Sequence, residues 1–174
     1  GHSVLVLENE ILKVGLLLSK GGDIVEFRHK ATDLNLLWQS RNEPVPAGRY
    51  IETVARDQGS FLDYFHGGWQ ELFPNGGFAT TYEGAQLGQH GEVSVLPWHA
   101  SVLEDGEGRI SVKIWTDTVR MPFRIERRLT LESNSEVLDV RWKIENRSGQ
   151  TLHYSWGQHP GFGRPLLSDK AVID

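Results

Sequence analysis

The chain of 174 residues is long enough for one ordinary domain with a hydrophobic core, and it carries a formal net charge of −5. This acidic balance argues against a nucleic-acid partner, and the absence of cysteine excludes a disulfide framework, a thiolate nucleophile and a cysteine zinc site. No apolar run approaches the roughly 20 residues that span a bilayer, so no membrane partner is expected. No signal peptide is visible, and a cytoplasmic location is the default expectation. Residues 1–3 resemble a tag remnant, which leaves one predicted domain over residues 4–174.

Alternating apolar and polar residues predict short antiparallel strands along most of the chain. Turn-forming clusters separate these runs, a spacing typical of a β-sandwich or barrel. No segment predicts a helix longer than a turn or two. The predicted strands are VLVLE, ILKVGLLL, GDIVEFRH, RISVKIWTD, FRIERRLTLES and EVLDVRWKIENR.

Arg127 interrupts an apolar face in the segment FRIERRLTLES, where Phe123, Ile125 and Leu129 otherwise alternate with polar residues. One interpretation is a strand end or an edge position. The other is an arginine that points into a polar cleft.

Residues 56–91 depart from the strand pattern, being rich in glycine, aromatic and polar residues, and a structureless loop this long is uncommon unless it is functional. Within it, FHGGWQELFPNGG sets two glycine pairs around Trp69 and Glu71. An indole face can stack on a sugar ring. The alternative is that Trp69 and Phe73 pin the loop to the core.

The segment GQHGEV contains His90 and Glu92, whose side chains would share one face if residues 90–95 were extended. A carboxylate beside an imidazole fixes its tautomer and raises its basicity. A cupin-type metal site would require a His-x-His pair, which the chain lacks, so no metal is predicted. A lone histidine is more often structural, and that alternative stays open for His90.

The segment TLHYSWGQHPGFG contains His159. Pro160 favours an extended backbone at His159, and the surrounding glycines leave open space, an arrangement suited to a general acid or base. The alternative is a turn residue at the rim of a sandwich. Without a bulge, His153 would lie on the same side as His159. Four histidines are interpreted as structural or exposed: His29, His66, His99 and His153.

Four segments of the chain, taken in sequence order, resemble the aldose 1-epimerase (galactose mutarotase-like) family. They are GGDIVEFRHKATDLNLLW, GGWQELFPNGG, QHGEV followed by LPW, and WGQHPGFG, and together they span roughly residues 11–165. The resemblance implies an antiparallel β-supersandwich and interconversion of the α and β anomers of a free hexose, without a cofactor. It implies that His159 is the general acid and that His90 is the second catalytic histidine, which hydrogen-bonds the sugar.

Two departures from that family shape the expectations. No residue matches the motif of the family's catalytic glutamate in the C-terminal half, so the chain resembles only an N-terminal part, an incomplete supersandwich. A homodimer, or the rest of a longer molecule, is expected to cover its exposed sheet edges. His66 stands where the phosphosugar branch tends to carry an arginine, which argues against phosphate recognition.

The leading hypothesis is therefore a mutarotase-like isomerase that acts on an aldohexose. A non-catalytic carbohydrate-binding domain and a purely structural β-sandwich are the alternatives. The candidate substrate-binding residues are Trp69, Gln70, Glu71, Glu92 and Trp156.

Overall fold

The computed structural model describes residues 2–41, 43–45, 61–164 and 166–172. Over these ranges the only helical elements are single 3-10 turns, at Lys30–Thr32, Leu62–Tyr64 and Val93–Val95. No helix in this part of the chain is long and apolar enough to cross a membrane. The strands are β1 (Val4–Glu8), β2 (Leu12–Leu17), β3 (Asp23–His29), β4 (Leu34–Asn35), β5 (Trp69–Leu72), β6 (Thr80–Tyr82), β7 (Ala85–Leu87), β8 (His99–Gly106), β9 (Arg109–Asp117), β10 (Phe123–Glu132), β11 (Leu138–Asn146) and β12 (Gly157–Pro160).

Two antiparallel sheets pack face to face. One has the order β1-β2-β3-β5-β12, with β4 paired to β3, and the other has the order β11-β10-β9-β8. Strands β6 and β7 form a separate hairpin. The prediction of an all-β antiparallel sandwich is confirmed, and the strands expected from the alternating pattern occur at the predicted places.

The core lies between the two sheets because each contributes the apolar side chains of one face. Val14, Leu16 and Ile24 from the first sheet meet Ile114 and Ile125 from the second, all of them buried. Removing such side chains from water is the main favourable term in folding. The face of the first sheet that points towards the second sheet is called the inner face below, and its opposite is called the outer face.

The turn between β2 and β3 depends on Gly21 and Gly22. Both have positive φ, at 72° and 59°, a region that other residues rarely adopt. A Cβ atom on Gly22 would come within 2.8 Å of the Trp98 ring. The turn is therefore restricted to glycine by its backbone and by its packing, and it fixes the positions of Lys20 and Asp23 on either side.

Arg127 occupies neither of the positions that the sequence suggested. Strand β10 lies between β9 and β11, and Arg127 pairs with Ile114 on one side and Trp142 on the other, so it is central and not at an edge. Its side chain is only 1% exposed and points between the two sheets, not into an open cleft. The guanidinium donates to the Gly22 carbonyl oxygen.

The expectation of a structureless loop over residues 56–91 is wrong at three short strands within that range. β5 joins the first sheet, and β6 and β7 form their hairpin within it. Residues 56–60 lie outside the described residues. The loop expectation failed because β5 is buried on both faces and thus lacks the polar alternation that marks a half-exposed strand.

Candidate active site

Strands β5 and β12 bring together two of the motifs selected from the sequence. They pair antiparallel, with Gln158 opposite Glu71 and His159 opposite Gln70. Cross-strand partners share a face, and successive side chains alternate between faces. Glu71 and Gln158 therefore point to the inner face, and Gln70 and His159 point to the outer face. The sheet itself divides the predicted site residues into two groups.

The inner group centres on the carboxylate of Glu71, which is fully buried. Its Oε2 accepts a hydrogen bond of 2.9 Å from the Trp142 indole and lies 3.4 Å from Nη1 of Arg127. Its Oε1 accepts from the Trp156 indole and the Gln158 amide. Burial raises the pKa of Glu71, while Arg127 and the N–H donors act in the opposite direction. Because every partner is a protein group, this carboxylate joins the two sheets and is not open to a ligand.

The two predicted tryptophans also lie on the inner side. Trp69 packs against the hydrophobic core, and its indole donates to Gln158 Oε1 at 2.7 Å. Trp156 keeps 41% of its surface exposed and meets Trp142 edge to face, with ring centroids 5.3 Å apart. For Trp69 the core-pinning interpretation describes the contacts, whereas Trp156 retains an exposed ring.

The outer group contains a buried polar cluster, defined here as Lys20, Asp23, His66 and Gln70 and called the Asp23 cluster. Oδ2 of Asp23 accepts a hydrogen bond of 2.7 Å from Lys20 Nζ and one of 3.3 Å from Gln70 Nε2. Nε2 of His66 lies 3.7 Å from the same oxygen. Gln70 connects this cluster to His159, its cross-strand partner.

Several buried atoms on the outer face have no hydrogen-bond partner among the described residues. They are Asp23 Oδ1, His66 Nε2, Gln70 Oε1 and His159 Nδ1. Buried polar atoms are nearly always paired in native proteins, because an unpaired one costs about 1–3 kcal/mol. Four such atoms on one face of one sheet mark a place where a polar ligand would be stabilised.

His90 reaches the outer group from a turn. Its φ is 62°, an uncommon left-handed value for a residue other than glycine. Gly91 follows at φ 76°, where a Cβ atom would collide with the Phe73 carbonyl group. His90 Nδ1 lies 3.0 Å from the carbonyl oxygen of Gly76, which can only accept, so Nδ1 carries the hydrogen and Nε2 keeps its lone pair. A turn and a 3-10 turn occupy residues 90–95, so the extended conformation under which His90 and Glu92 would share a face does not occur.

The His90 and His159 rings lie side by side, with centroids 5.6 Å apart. Phe61 contacts both imidazoles edge-on, at 4.5 Å from His90 and 5.5 Å from His159. Burial lowers the pKa of His159, and the neighbouring His90 lowers it further. The geometry thus brings together the two histidines that the sequence selected, in a partly apolar setting where a proton is readily given up.

Glu92 does not accompany His90. Its two carboxylate oxygens accept the backbone N–H groups of Val119 and Arg120, at 3.0 Å each. The predicted pairing of Glu92 with the imidazole fails because the turn at His90 sends the two side chains to different partners. Glu92 instead holds the β9–β10 connection against the turn.

A cavity of about 660 Å³ lies beside this turn. Neither His90 nor His159 lines it, although Phe61, which contacts both imidazoles, does. Thr80, Gln86 and Arg120 supply polar groups to its wall. The histidine pair, with the unpartnered Nδ1 of His159, carries the more specific chemistry.

Sequence reasoning missed Lys20, Asp23 and the position of His66. Lys20 and Asp23 flank the Gly21-Gly22 turn, where charged residues look like ordinary turn residues. His66 was expected to be structural or exposed, and it is buried beside Asp23. His153 is exposed against Tyr82 in a segment that is not a strand, so the parity argument that joined it to His159 is wrong. Among the described ranges, no group of three or more metal-binding side chains converges.

Comparison with protein families gives a match over residues 1–174 to a family described as "Domain of unknown function (DUF4432)". Curated proteins give no match to the chain.

Several solved structures share the fold. A protein from Escherichia coli K12, provisionally named an aldose 1-epimerase, gives a TM-score of 0.58 at 16% identity over 93% of this chain and 52% of its own. A protein from Salmonella typhimurium, provisionally named a mutarotase, gives 0.53 at 16% identity over 76% of this chain and 41% of its own. A TPR-domain containing protein from Parabacteroides distasonis gives a TM-score of 0.52 at 16% identity, over 80% of this chain and 20% of its own. The chain spans about half or less of these proteins, and the likeness shows the galactose mutarotase-like β-sandwich fold alone.

Proposed function

The chain belongs to the DUF4432 family and has the galactose mutarotase-like β-sandwich fold, and from this premise we propose that it interconverts the α and β anomers of a free aldohexose. The observation that carries the proposal is the pair of His90 and His159 on the outer face, with the buried Nδ1 of His159 unpartnered. The names of the structural relatives from Escherichia coli and Salmonella typhimurium agree with this chemistry.

Opening a pyranose requires a proton for the ring oxygen as the bond from C1 to that oxygen breaks. Histidine suits this step because its pKa lies near neutrality, and the lowered pKa of His159 makes it a stronger acid when protonated. In the proposed reaction His159 gives this proton, and His90 hydrogen-bonds the sugar through Nε2, which keeps its lone pair and here lies 3.3 Å from the Gln89 amide nitrogen, a contact that the sugar would replace. The anomeric hydroxyl loses its proton to a base as its oxygen becomes the C1 carbonyl. Rotation about the C1–C2 bond and ring closure, with both proton transfers reversed, then produce the other anomer.

The test is anomer exchange measured by NMR for glucose, galactose and their 6-phosphates, with wild type and His159→Asn. Asparagine keeps a polar side chain of similar reach but cannot donate a proton at neutral pH. We expect wild type to accelerate exchange and the variant to lose about 100-fold or more of that acceleration. Equal rates for the two proteins would remove His159 from the mechanism.

A second candidate is carbohydrate binding without catalysis, which one arrangement of aromatic rings favours. Trp38 is 46% exposed and stacks on Phe65, which in turn meets His159 edge to face, with ring centroids 5.3 Å apart. An exposed indole next to polar groups is a typical sugar platform. Saturable sugar binding without faster exchange, lost in Trp38→Ala, would identify this function.

A further inference from the structure

We propose that Gln89 is a substrate-binding residue that, together with His90, recognises two adjacent hydroxyl groups of the sugar. This inference rests on the proposed function, because it adds a contact to the same site. Gln89 precedes His90 in the glycine-rich turn, and both side chains are half-buried. Sequence reasoning selected His90 and passed over Gln89, since a polar residue in a turn is ordinary.

The side chains of Gln89 and His90 are in contact. The amide Nε2 of Gln89 lies 3.3 Å from the ring Nε2 of His90. The carbonyl oxygen of Gly76 fixes the hydrogen of the neutral ring on Nδ1, so the ring Nε2 can only accept. The Gln89 atom in this contact must therefore be the amide nitrogen, which donates. This assignment determines which end of the amide faces the imidazole.

The other end of the Gln89 amide is open to a ligand. Its Oε1 makes no hydrogen bond with the described residues, and it is not among their buried atoms that lack a partner. The contact with His90 is also longer than a usual hydrogen bond of about 2.9 Å, so little is lost when a ligand replaces it. Gln89 can therefore turn both of its polar groups to a sugar.

One sugar hydroxyl can bind to both side chains at once. It donates its hydrogen to Nε2 of His90 and accepts a hydrogen from the Gln89 amide, because a hydroxyl has one donor and two lone pairs. The sugar thus replaces one long contact by two hydrogen bonds. Hydrogen bonds that are linked in this way strengthen one another.

The carbonyl oxygen of the Gln89 amide then faces the next hydroxyl of the sugar ring. Adjacent hydroxyl oxygens of a pyranose lie about one hydrogen-bond length apart, which suits the bidentate binding that glutamine amides make with neighbouring groups. Oε1 accepts from the second hydroxyl while the amide N–H donates to the first. The substrate class is therefore an aldose with two free hydroxyl groups on neighbouring carbons. Gln89 neither gives nor takes a proton, so its loss acts on affinity.

The experiment measures dissociation constants by ligand-observed NMR for glucose and for its analogues that lack the hydroxyl at C1, C2, C3, C4 or C6. Wild type is compared with Gln89→Leu and with His90→Asn, since asparagine tolerates the left-handed backbone and is shorter than histidine. We expect wild type to bind two analogues, which lack neighbouring hydroxyls, about 10-fold more weakly than glucose. In Gln89→Leu one of these two penalties should disappear, and in His90→Asn the other should shrink.

Anomer exchange separates this role of Gln89 from a structural one. For glucose, Gln89→Leu should raise the half-saturating concentration by about 10-fold and reduce the maximal rate much less. A damaged fold would lower both the affinity and the maximal rate, and circular dichroism checks for it. The matched control is Gln150→Leu, at an exposed glutamine, which should behave like wild type in every measurement.

Two results would overturn the inference. In one, Gln89→Leu binds glucose and every analogue as wild type does. In the other, the hydroxyls that depend on Gln89 and on His90 are not on neighbouring carbons. In both cases the proposed function stands if wild type accelerates exchange and His159→Asn does not.

The opposite combination is equally distinct. Wild type that binds glucose with the expected dependence on Gln89, yet leaves the exchange rate at its spontaneous value, would support the inference and remove the catalytic function. If folded wild type binds none of the sugars, the inference and the proposed function fail together.

Discussion

The imidazole rings of His90 and His159 lie with their centroids 5.6 Å apart, although one belongs to a left-handed turn and the other to strand β12. At this distance a proton on one ring disfavours a proton on the other. His90 therefore helps to lower the pKa of His159, which makes a protonated His159 a readier proton donor.

Replacing His90 with glutamine should raise the pKa of His159, because it removes the charge that helps to lower it, while the lowering by burial remains. NMR titration of the His159 ring protons in wild type and His90→Gln measures the difference. A His153→Gln variant should leave the titration unchanged. An unchanged pKa of His159 in His90→Gln would mean that the two imidazole rings do not interact electrostatically.

Arg127 and Glu71 should be strongly coupled in stability. Arg127→Met leaves a buried carboxylate without its cation, which should cost about 3–5 kcal/mol of unfolding free energy. Adding Glu71→Leu should recover part of this loss, since it removes the unpaired charge, so the double variant is less destabilised than the sum of the singles. Urea denaturation measures these energies, and Arg141→Met, at a side chain 77% exposed, is the control. Simple additivity would show that the pair does not hold the sheets together.

Glu92→Gln should weaken the fold without weakening sugar binding. The carboxylate accepts two backbone N–H groups, and an amide offers a single uncharged oxygen, so we expect a loss of about 1–3 kcal/mol. Glu136→Gln, at an exposed position, should be neutral. Denaturation curves measure the loss of stability, and a sugar titration measures the affinity for sugar. A large loss of sugar affinity in a stable Glu92→Gln protein would return Glu92 to the substrate-binding residues.

His66 should make stability depend on pH in a defined window. Its folded pKa lies below the ordinary value of 6.5, so the folded state binds a proton less readily than the unfolded state. The stability that the neutral ring contributes is present above pH 6.5 and is lost as the pH falls through the lower folded value. Lys20, Asp23 and His2 are the charged or titratable groups that act on this ring. Unfolding free energies at pH 7.5 and 5 should therefore fall more for wild type than for His66→Gln. An equal fall of the unfolding free energy in wild type and His66→Gln would contradict the lowered pKa of His66.

The sandwich was predictable because most of its strands are buried on one face and exposed on the other, as in β11, where Val140 and Trp142 alternate with charged residues. Strand β5 was not predictable from the sequence. Its polar residues Gln70 and Glu71 are buried on opposite faces, so the strand lacks the alternation of apolar and polar residues that marks a half-buried strand. Arg127 was misplaced for a related reason. Its partner Glu71 is remote in sequence, and only the packing of the two sheets joins them.

The candidate site was predictable where glycine and proline restrict the backbone and not where tertiary contacts decide. His90 and His159 stand in glycine-rich segments, and the structure brings them together. The direction of Glu92 depends on one left-handed residue, His90, which sequence periodicity cannot anticipate. The Asp23 cluster forms from a turn and two strands, and no local pattern joins Asp23 to His66 and Gln70.

The most direct test of the central proposal is the exchange rate between the α and β anomers of glucose and galactose, measured by NMR as a function of the concentration of the 174-residue chain. We expect a rate that rises linearly with the concentration of wild-type protein and stays at the spontaneous value with His159→Asn. A rate that stays at the spontaneous value with folded wild-type protein, for every sugar tested, would contradict it.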